Sequence, residues 1–503
     1  MHRPIVRAAL GLFCILSARP VRAADYPSTV PAFGETAKPV DLSGAVSLQD
    51  CVGQALGRNF AVRIQQFSVF EAADAVTVQQ AAFEPVLEFN AGRQVTQQAT
   101  TETVFTVPYT SADTAALTVN DTLVTGGTLT AGYNFYRQDI NPSYGSLNPA
   151  YASSVSLTVV QPLLHGAGTD YNKAAIERAR IGVRLSNLAF KSTVLTMVLG
   201  VENTYFNLLY QREQYKVQEE ELRQAQQLLD ENTIRRQTGV LTDLDVINAK
   251  AGVAAAQNQL ILYKQAVQNG EDSLLQLLGD RQFTSAVGPI DFPAVGEPDV
   301  SFDRSYKLAR DNGPDLAVAL ATVEQYKLDA LKAKRDVLPV LNVNGGVGYS
   351  SYASTANESV TGPWNGYNWT AGLMLSVPWG LKANRALYHQ ALSQVRSQQV
   401  AYDQADQNLV VKVRAAVRGV ATGVENVRSS AENTRFATKA YELTKAQFDA
   451  GLATSYLVLQ SQNTLETARV SELQAKVNLL SAIANLRFLE GSSLQLYHIS
   501  LPE

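Results

Sequence analysis

Two periodicities alternate along this chain. Leu341, Val343, Val347 and Tyr349 are separated by Asn342, Asn344, Gly346 and Gly348, while Trp369, Ala371, Leu373, Leu375 and Val377 alternate with residues such as Thr370, Gly372 and Ser376. The same alternation occurs earlier, in Leu87, Phe89 and Ala91 against Glu88, Asn90 and Gly92, then in Val155, Leu157 and Val159 against Ser154, Ser156 and Thr158. A period of two sends apolar groups to one face and polar groups to the other, and predicts strands. Such strands fit a soluble antiparallel sheet with one wet face, or a barrel with lipid outside and water within. Tyr349, Tyr352, Trp364, Tyr367 and Trp369, near the loop ends, resemble an interfacial girdle. A stretch near 114–138 carries Leu117 and Val119, then Thr125-Gly126-Gly127-Thr128, then Leu129, Ala131, Tyr133 and Phe135, and reads as a Gly-Gly hairpin. The pattern leaves open whether it joins the sheet or decorates a loop.

The remainder reads as helix. Asn172 to Thr238 and Lys382 to Ala450 are free of proline, and each predicts a rod of about 100 Å at ~1.5 Å per residue. Val201, Leu208, Tyr215, Leu222 and Leu229 recur at sevens, with Gln211, Gln218 and Ala225 on the intervening seam. One narrow apolar stripe suits a wall one helix thick, with water on both sides. An ordinary antiparallel coiled coil accounts for the heptads equally well, but not for the strands.

The pattern occurs twice. Gly239-Val240-Leu241-Thr242 corresponds to Gly451-Leu452-Ala453-Thr454, and the next landmark, Gly279 or Gly491, follows 40 residues after each first glycine. Gln161-Pro162-Leu163 corresponds to Val377-Pro378-Trp379, and Pro85-Val86-Leu87 to Pro339-Val340-Leu341. Helical patterns ahead of the last pair break at Phe60 and Pro314. The domain plan is therefore a first repeat over 48–279, with strands over about 85–163 and a helical hairpin over 172–279. A linker over 280–301 leads to a second repeat over 302–491, with strands over about 339–378 and a hairpin over 382–491. Residues 24–47 form an N-terminal extension and 492–503 a tail.

Residues 1–23 read as a signal peptide: Arg3 and Arg7 lead an apolar run from Ala8 to Leu16, and Val21-Arg22-Ala23 precedes the expected cut. Four arginines and no acids leave with it, so the net charge falls from −4 to −8. An acidic exported chain argues against nucleic acid as partner. Cys14 leaves too, so Cys51 is a lone cysteine expected as a small buried apolar residue. His165, His389 and His498 are far apart, and neither a metal cluster nor a Ser/His/Asp or paired-carboxylate constellation emerges. An exported enzyme is thereby disfavoured. A passive single-chain porin or adhesin-like barrel would need more strands than are evident.

With these motifs in place, the chain resembles the TolC-like outer-membrane efflux and secretion channel family from about Leu48 to Gly491. The resemblance implies a mixed α and β membrane protein: a homotrimer with four strands per copy in one 12-stranded barrel, continued by a long periplasmic α-helical barrel. It implies an outer-membrane location in a Gram-negative cell, with no catalysis and no cofactor or metal. The implied partners are a periplasmic adaptor and an inner-membrane transporter, beside outer-membrane lipid. It assigns Gly239, Val240, Leu241, Thr242, Gly451, Leu452, Ala453 and Thr454 to adaptor-binding tips. It places a pore constriction at Asp243, Asp245, Leu457 and Gln460, where Leu457 and Gln460 stand in place of the family's usual acidic ring. In the family the acid matching Asp245 is latched by an arginine and a tyrosine. Here those positions are Ala453 and Phe448, which leaves Asp245 solvated, facing the pore, or paired with Arg235 or Arg236. Leu457 faces either the lumen or the helix-packing seam.

Overall fold

The computed structural model describes residues 44, 46–97, 109–141, 147–280, 283, 287–290 and 300–501. The expected signal peptide over 1–23, most of the extension over 24–47 and of the linker over 280–301, and the last two residues of the tail lie outside them.

The first repeat begins with helices α1 (Leu48–Arg58) and α2 (Phe60–Gln80), followed by strands β1 (Val86–Gln97), β2 (Tyr109–Thr122), β3 (Thr128–Asn141) and β4 (Ala150–Pro162). A single turn, α3 (Thr169–Asn172), leads to α4 (Ala174–Gln237) and α5 (Asp243–Leu277). The second repeat has α6 (Phe302–Asn312), α7 (Pro314–Asp336), β5 (Val340–Ala353), the short α8 (Ala356–Thr361), β6 (Gly366–Ser376), α9 (Lys382–Asp449) and α10 (Ser455–Glu490), and α11 (Ser493–Leu496) follows. The rods are real: α4 has 64 residues and α9 has 68, or about 95–100 Å each.

All six strands form one antiparallel sheet in the order β1-β2-β3-β4-β5-β6. The resemblance implied four strands per chain; the described residues hold six, because the hairpin near 114–138 joins the sheet as β2 and β3. The register explains why. Reading across the strands, one row is Leu87, Val119, Ala131, Leu157, Val347, Trp369, and the next on that face is Phe89, Leu117, Tyr133, Val155, Tyr349, Tyr367. On the opposite face a row reads Glu88, Thr118, Gly132, Ser156, Gly348, Asn368. The inserted strands thus continue both faces in phase, which a shift of one residue would destroy. Their turn is fastened to the first repeat's Gln-Pro landmark. Thr125 Oγ1 donates to Gln161 Oε1 at 2.9 Å, and Gly168 N donates to Thr125 O at 3.1 Å. At the other end of the apolar face Arg93 and Arg137 both pair with Asp113, at 3.5 and 2.8 Å. From Leu341 to Ala353, β5 rises about 28 Å along the barrel axis at ~3.3 Å per residue and ~45° tilt, close to the apolar height of an outer-membrane barrel.

Each long helix is lined by two shorter ones. Against α4 pack α5 and α2; against α9 pack α10 and α7. The joints lie where the sequence breaks its helices. Asn59 caps α2 by accepting from Ala61 N and Val62 N, and its Nδ2 donates to Leu277 O at 3.0 Å. Gly279, at φ +72°, follows α5 and brings its Cα against the Arg58 carbonyl; Gly491, at φ +67°, approaches Asn312 in the same way. The main core surrounds the first joint, with Val194, Val198, Val201 and Leu208 of α4 against Val52 and Ala55 of α1 and Leu274 of α5. Cys51 lies in it, fully buried, and burial pushes its thiol up to about 12. The tail docks here too, Tyr497 OH donating to Glu202 Oε1 at 2.7 Å.

The heptad stripe holds only in this upper half. Val201 and Leu208 are fully buried, but Tyr215, Leu222 and Leu229 are half-buried. Lower on α4 the buried positions are Gln214, Gln218, Ala225, Leu228 and Asn232. There α4 packs against α5 and α10 through small and polar residues.

Gly279 and Gly239 have similar backbones but different surroundings. A Cβ on Gly279 would sit 2.6 Å from Arg58 O, whereas one on Gly239 meets nothing within 4 Å. Thermal melts in detergent should show Gly239→Ala losing about 1–2 kcal/mol for its left-handed backbone, and Gly279→Ala clearly more. Equal losses would show that the joint yields freely.

Candidate functional site

Each hairpin ends in a tip formed by the same local chemistry. Gly239, at φ +77°, and Gly451, at φ +74°, reverse the chain in the left-handed region that glycine alone enters cheaply. Val240 N donates to Arg235 O at 2.9 Å and Leu452 N donates to Gln447 O at 2.8 Å, the six-residue closure of a Schellman turn. Thr242 and Thr454 then cap α5 and α10, accepting from the backbone N–H three residues on. Asp245 completes a capping box, its Oδ2 accepting from Thr242 N at 3.0 Å. What the tips offer outward is apolar: Val240 is 70% exposed and Leu452 81%.

The two tips are tied to each other. Ser455 Oγ donates to Asp245 Oδ1 at 2.9 Å. Arg235 donates to Phe448 O at 3.0 Å and to Asp449 Oδ1 at 3.1 Å, and its guanidinium lies 4.2 Å from the centroid of the Phe448 ring. Phe448 is buried with Leu228 and Val458, against Leu241 and Ala453. Asp245 therefore has a latch, built from Thr242 and Ser455. The Thr242 side-chain hydrogen bond, then its backbone N–H, hold its carboxyl below the usual aspartate range. It pairs with neither arginine: Arg235 reaches across to the second tip and Arg236 pairs with Asp243 at 2.5 Å. Sequence reasoning missed Ser455 and the Arg235–Phe448–Asp449 clamp. Their signal was the basic end of α4 opposite Asp449 across two tips already matched by repetition.

The residues expected at the constriction separate. Val458 takes the packing seam, while Leu457 is 47% exposed. Gln460 lines, with Tyr456, a groove of about 500 Å³ between α4, α5 and α10. Asp243, on α5, is exposed beyond its pairing with Arg236. Deeper in that groove lie Gln218, Glu221 and Glu466. Burial, and then the neighbouring Glu466 carboxyl, push the Glu221 carboxyl to about 8. No heptad rule marks this pair, since either residue alone reads as a solvated charge. Among the described residues no group of acids, histidines or cysteine could hold a metal ion, and no helix is long and apolar enough to cross a membrane.

A profile of the outer membrane efflux protein family matches residues 128–280 and 305–492. The pyoverdine export outer membrane protein OpmQ of Pseudomonas putida is 29% identical over 332 residues, 62% of this chain and 66% of its own length. The alkaline protease secretion protein AprF of Pseudomonas aeruginosa is 26% identical over 368 residues, 68% of this chain and 70% of its own. The chain thus spans just under two thirds of the first relative. Among solved structures, the Campylobacter jejuni CmeC outer membrane channel superposes with a TM-score of 0.67 at 16% identity, covering 88% of this chain and 85% of its own.

The raised Glu221 group makes a signed prediction. Its proton is held more tightly when folded, so stability falls as pH rises from the ordinary glutamate range near 4.5 toward 8. Glu221→Gln should leave Tm unchanged below pH 4.5 and raise it at pH 8. An unchanged difference across that window would mean that Glu221 is solvated.

Proposed function

The chain belongs to the outer membrane efflux protein family, and from that premise we propose that three copies form the outer-membrane exit duct of a tripartite efflux or type I secretion system. One observation carries the assembly: the described residues form a single layer of elements with two open sides. One side presents β1, α2 and α5, the other β6 and α9. Leu87 and Phe89 are exposed on the first side's strand and Leu373 and Leu375 on the other. Ile64, Ile247 and Ile261 are exposed on α2 and α5, and Leu387, Val400 and Leu443 on α9. The two open sides are distinct, as the head-to-tail arrangement that closes into a ring requires.

In this reading the repeats over 48–279 and 302–491 are the two halves of each wall, delivered outward by the signal peptide over 1–23. The duct is passive. It holds no cofactor and catalyses nothing; an inner-membrane transporter supplies the energy, and a periplasmic adaptor seats its helices on the exposed tips at Val240 and Leu452. The relatives' names cover pyoverdine export and alkaline protease secretion, which supports a conduit whose cargo is chosen elsewhere. At the narrow end Leu457 and Gln460 stand at the lumen, Asp243 and Asp245 add negative field, and the Arg235–Asp449 and Ser455–Asp245 ties hold the hairpins together. An apolar ring of Leu457 closes by dewetting rather than by charge.

Light scattering of the detergent-solubilised outer-membrane protein should give the mass of three chains; a stable folded monomer would overturn the assembly. Gly451→Val, which forces a β-branched residue to positive φ, should abolish transport at equal protein level with the trimer intact; normal efflux would make the tip a plain turn. In planar bilayers Leu457→Asp should raise cation preference and blockade by multivalent cations. Unchanged selectivity with a weaker trimer would place Leu457 between copies instead.

A further inference from the structure

The inserted hairpin changes how the sheet closes. Strands β1 and β5 occupy matching places in the two repeats, and their sequences Val86-Leu87-Glu88-Phe89-Asn90-Ala91-Gly92 and Val340-Leu341-Asn342-Val343-Asn344-Gly345-Gly346 align without a gap. Strands β4 and β6 likewise match through Pro162 and Pro378. Within the chain, β4 pairs with β5, the end of one repeat with the start of the next. The only equivalent junction left is between copies, from β6 to the β1 of a neighbour. Among the described residues both strands are unpaired on that side, and β1 is exposed along its whole length.

We propose that three copies close into an eighteen-stranded barrel, each β6 pairing antiparallel with the next copy's β1 in the register of β4 on β5, which sets Leu375 opposite Ala91. This rests on the trimeric reading above and adds to it the strand number, the edge and the register. The register comes from the repeat: Val159 pairs with Gly345, and their counterparts are Leu375 and Ala91. Every pair it generates keeps its face. Ala91 meets Leu375, Val95 meets Ala371 and Phe89 meets Val377, all on the apolar side defined by the rows across the sheet. It also gives Trp379 a place. That side chain is fully exposed in the single chain, and its counterpart Leu163 donates its N–H to Leu341 O at 2.8 Å; the same bond between copies runs from Trp379 to Leu87.

The width agrees with what lies below. Four helical rods per copy make a ring of twelve, whose radius at ~9–10 Å spacing is about 18 Å. Eighteen strands at ~4.8 Å spacing and ~40° tilt also give a radius of about 18 Å, whereas twelve at that tilt give about 12 Å. Without the hairpin, the sheet must tilt much more steeply to meet the tube beneath it.

Cysteine pairs in the full-length outer-membrane protein test each part, since Cys51 is fully buried. With a short thiol cross-linker, Ala91→Cys/Leu375→Cys and Val95→Cys/Ala371→Cys should shift from monomer to dimer and trimer bands on non-reducing gels. Ala91→Cys/Ala371→Cys, four residues out of register, should stay largely monomeric. Ala91→Cys/Ala115→Cys should link within one chain, and Ala91→Cys/Val155→Cys should not. The reverse of this last result would mean that β1 pairs directly with β4, with the hairpin outside a twelve-stranded barrel, and would overturn the proposal. Monomer bands alone from both in-register pairs, in protein that light scattering shows to be trimeric, would overturn the register while leaving the trimer standing. A monomeric mass would overturn the trimeric reading itself.

Discussion

A strand inside a membrane has no water to satisfy its backbone, and this constraint organises the rest of the molecule. Each unpaired N–H or C=O in hydrocarbon costs several kcal/mol, so a lipid-facing sheet with two free edges is not a final state. The chain's sheet has such edges at β1 and β6. It must be completed, and completion fixes the helices as well, because β1 is entered from α2 and β6 leads into α9 within a few residues. Closing the sheet therefore aligns the walls below it. Within the chain the helices below pack along small and polar seams such as Gln214, Gln218 and Ala225.

That division of labour explains how the sequence could be read. Strand alternation, helix length, the breaks before Phe60 and Pro314 and the tip glycines are local consequences of backbone geometry, so they are visible in one chain. The repeat made them legible twice. The fate of the inserted hairpin was hidden for a different reason. Its strands carry the same alternation as their neighbours, so they fit the sheet in phase, but alternation names no partner, and the contacts of the Thr125 turn with Gln161 and Gly168 lie far apart in sequence. The lower half of α4 misled for a third reason: its buried positions shift off the heptad to Gln214, Gln218, Ala225, Leu228 and Asn232, a largely polar set that no apolar period marks.

At the tips, the turn chemistry was legible and the connections were not. Thr242 and Thr454 are recognisable caps because capping is a matter of residue type and spacing. The tie between Ser455 and Asp245 joins positions 210 apart, and the Arg235 clamp spans a similar distance. The family position that would carry an arginine is Ala453 here, yet an arginine still bridges the tips, contributed from the other hairpin. Replacing a link's residues while keeping its location is straightforward when two hairpins end side by side, since either can supply the cation and either the acceptor.

This arrangement also sets where selectivity can reside. In the proposed duct, a long tube with walls one helix thick exposes glutamine, asparagine and mixed charges to water on both faces, and its upper end is a sheet whose polar face carries Thr118, Gly132, Ser156 and Gly348. Such a lining offers hydrogen bonds of every kind and concentrates none of them, so it retains no particular solute. Discrimination needs a place where side chains approach one another closely, and in the proposed duct that place is where the hairpins converge. There an apolar residue, Leu457, stands exposed beside a latch made of one carboxylate and two hydroxyls. Opening such a latch breaks hydrogen bonds that water can replace, at a net cost of about 1 kcal/mol each. In the proposed complex, contact from an adaptor at Val240 and Leu452 buries apolar surface worth a comparable amount, while the Arg235 tie to Phe448 and Asp449 is a further link between the hairpins that opening must also release.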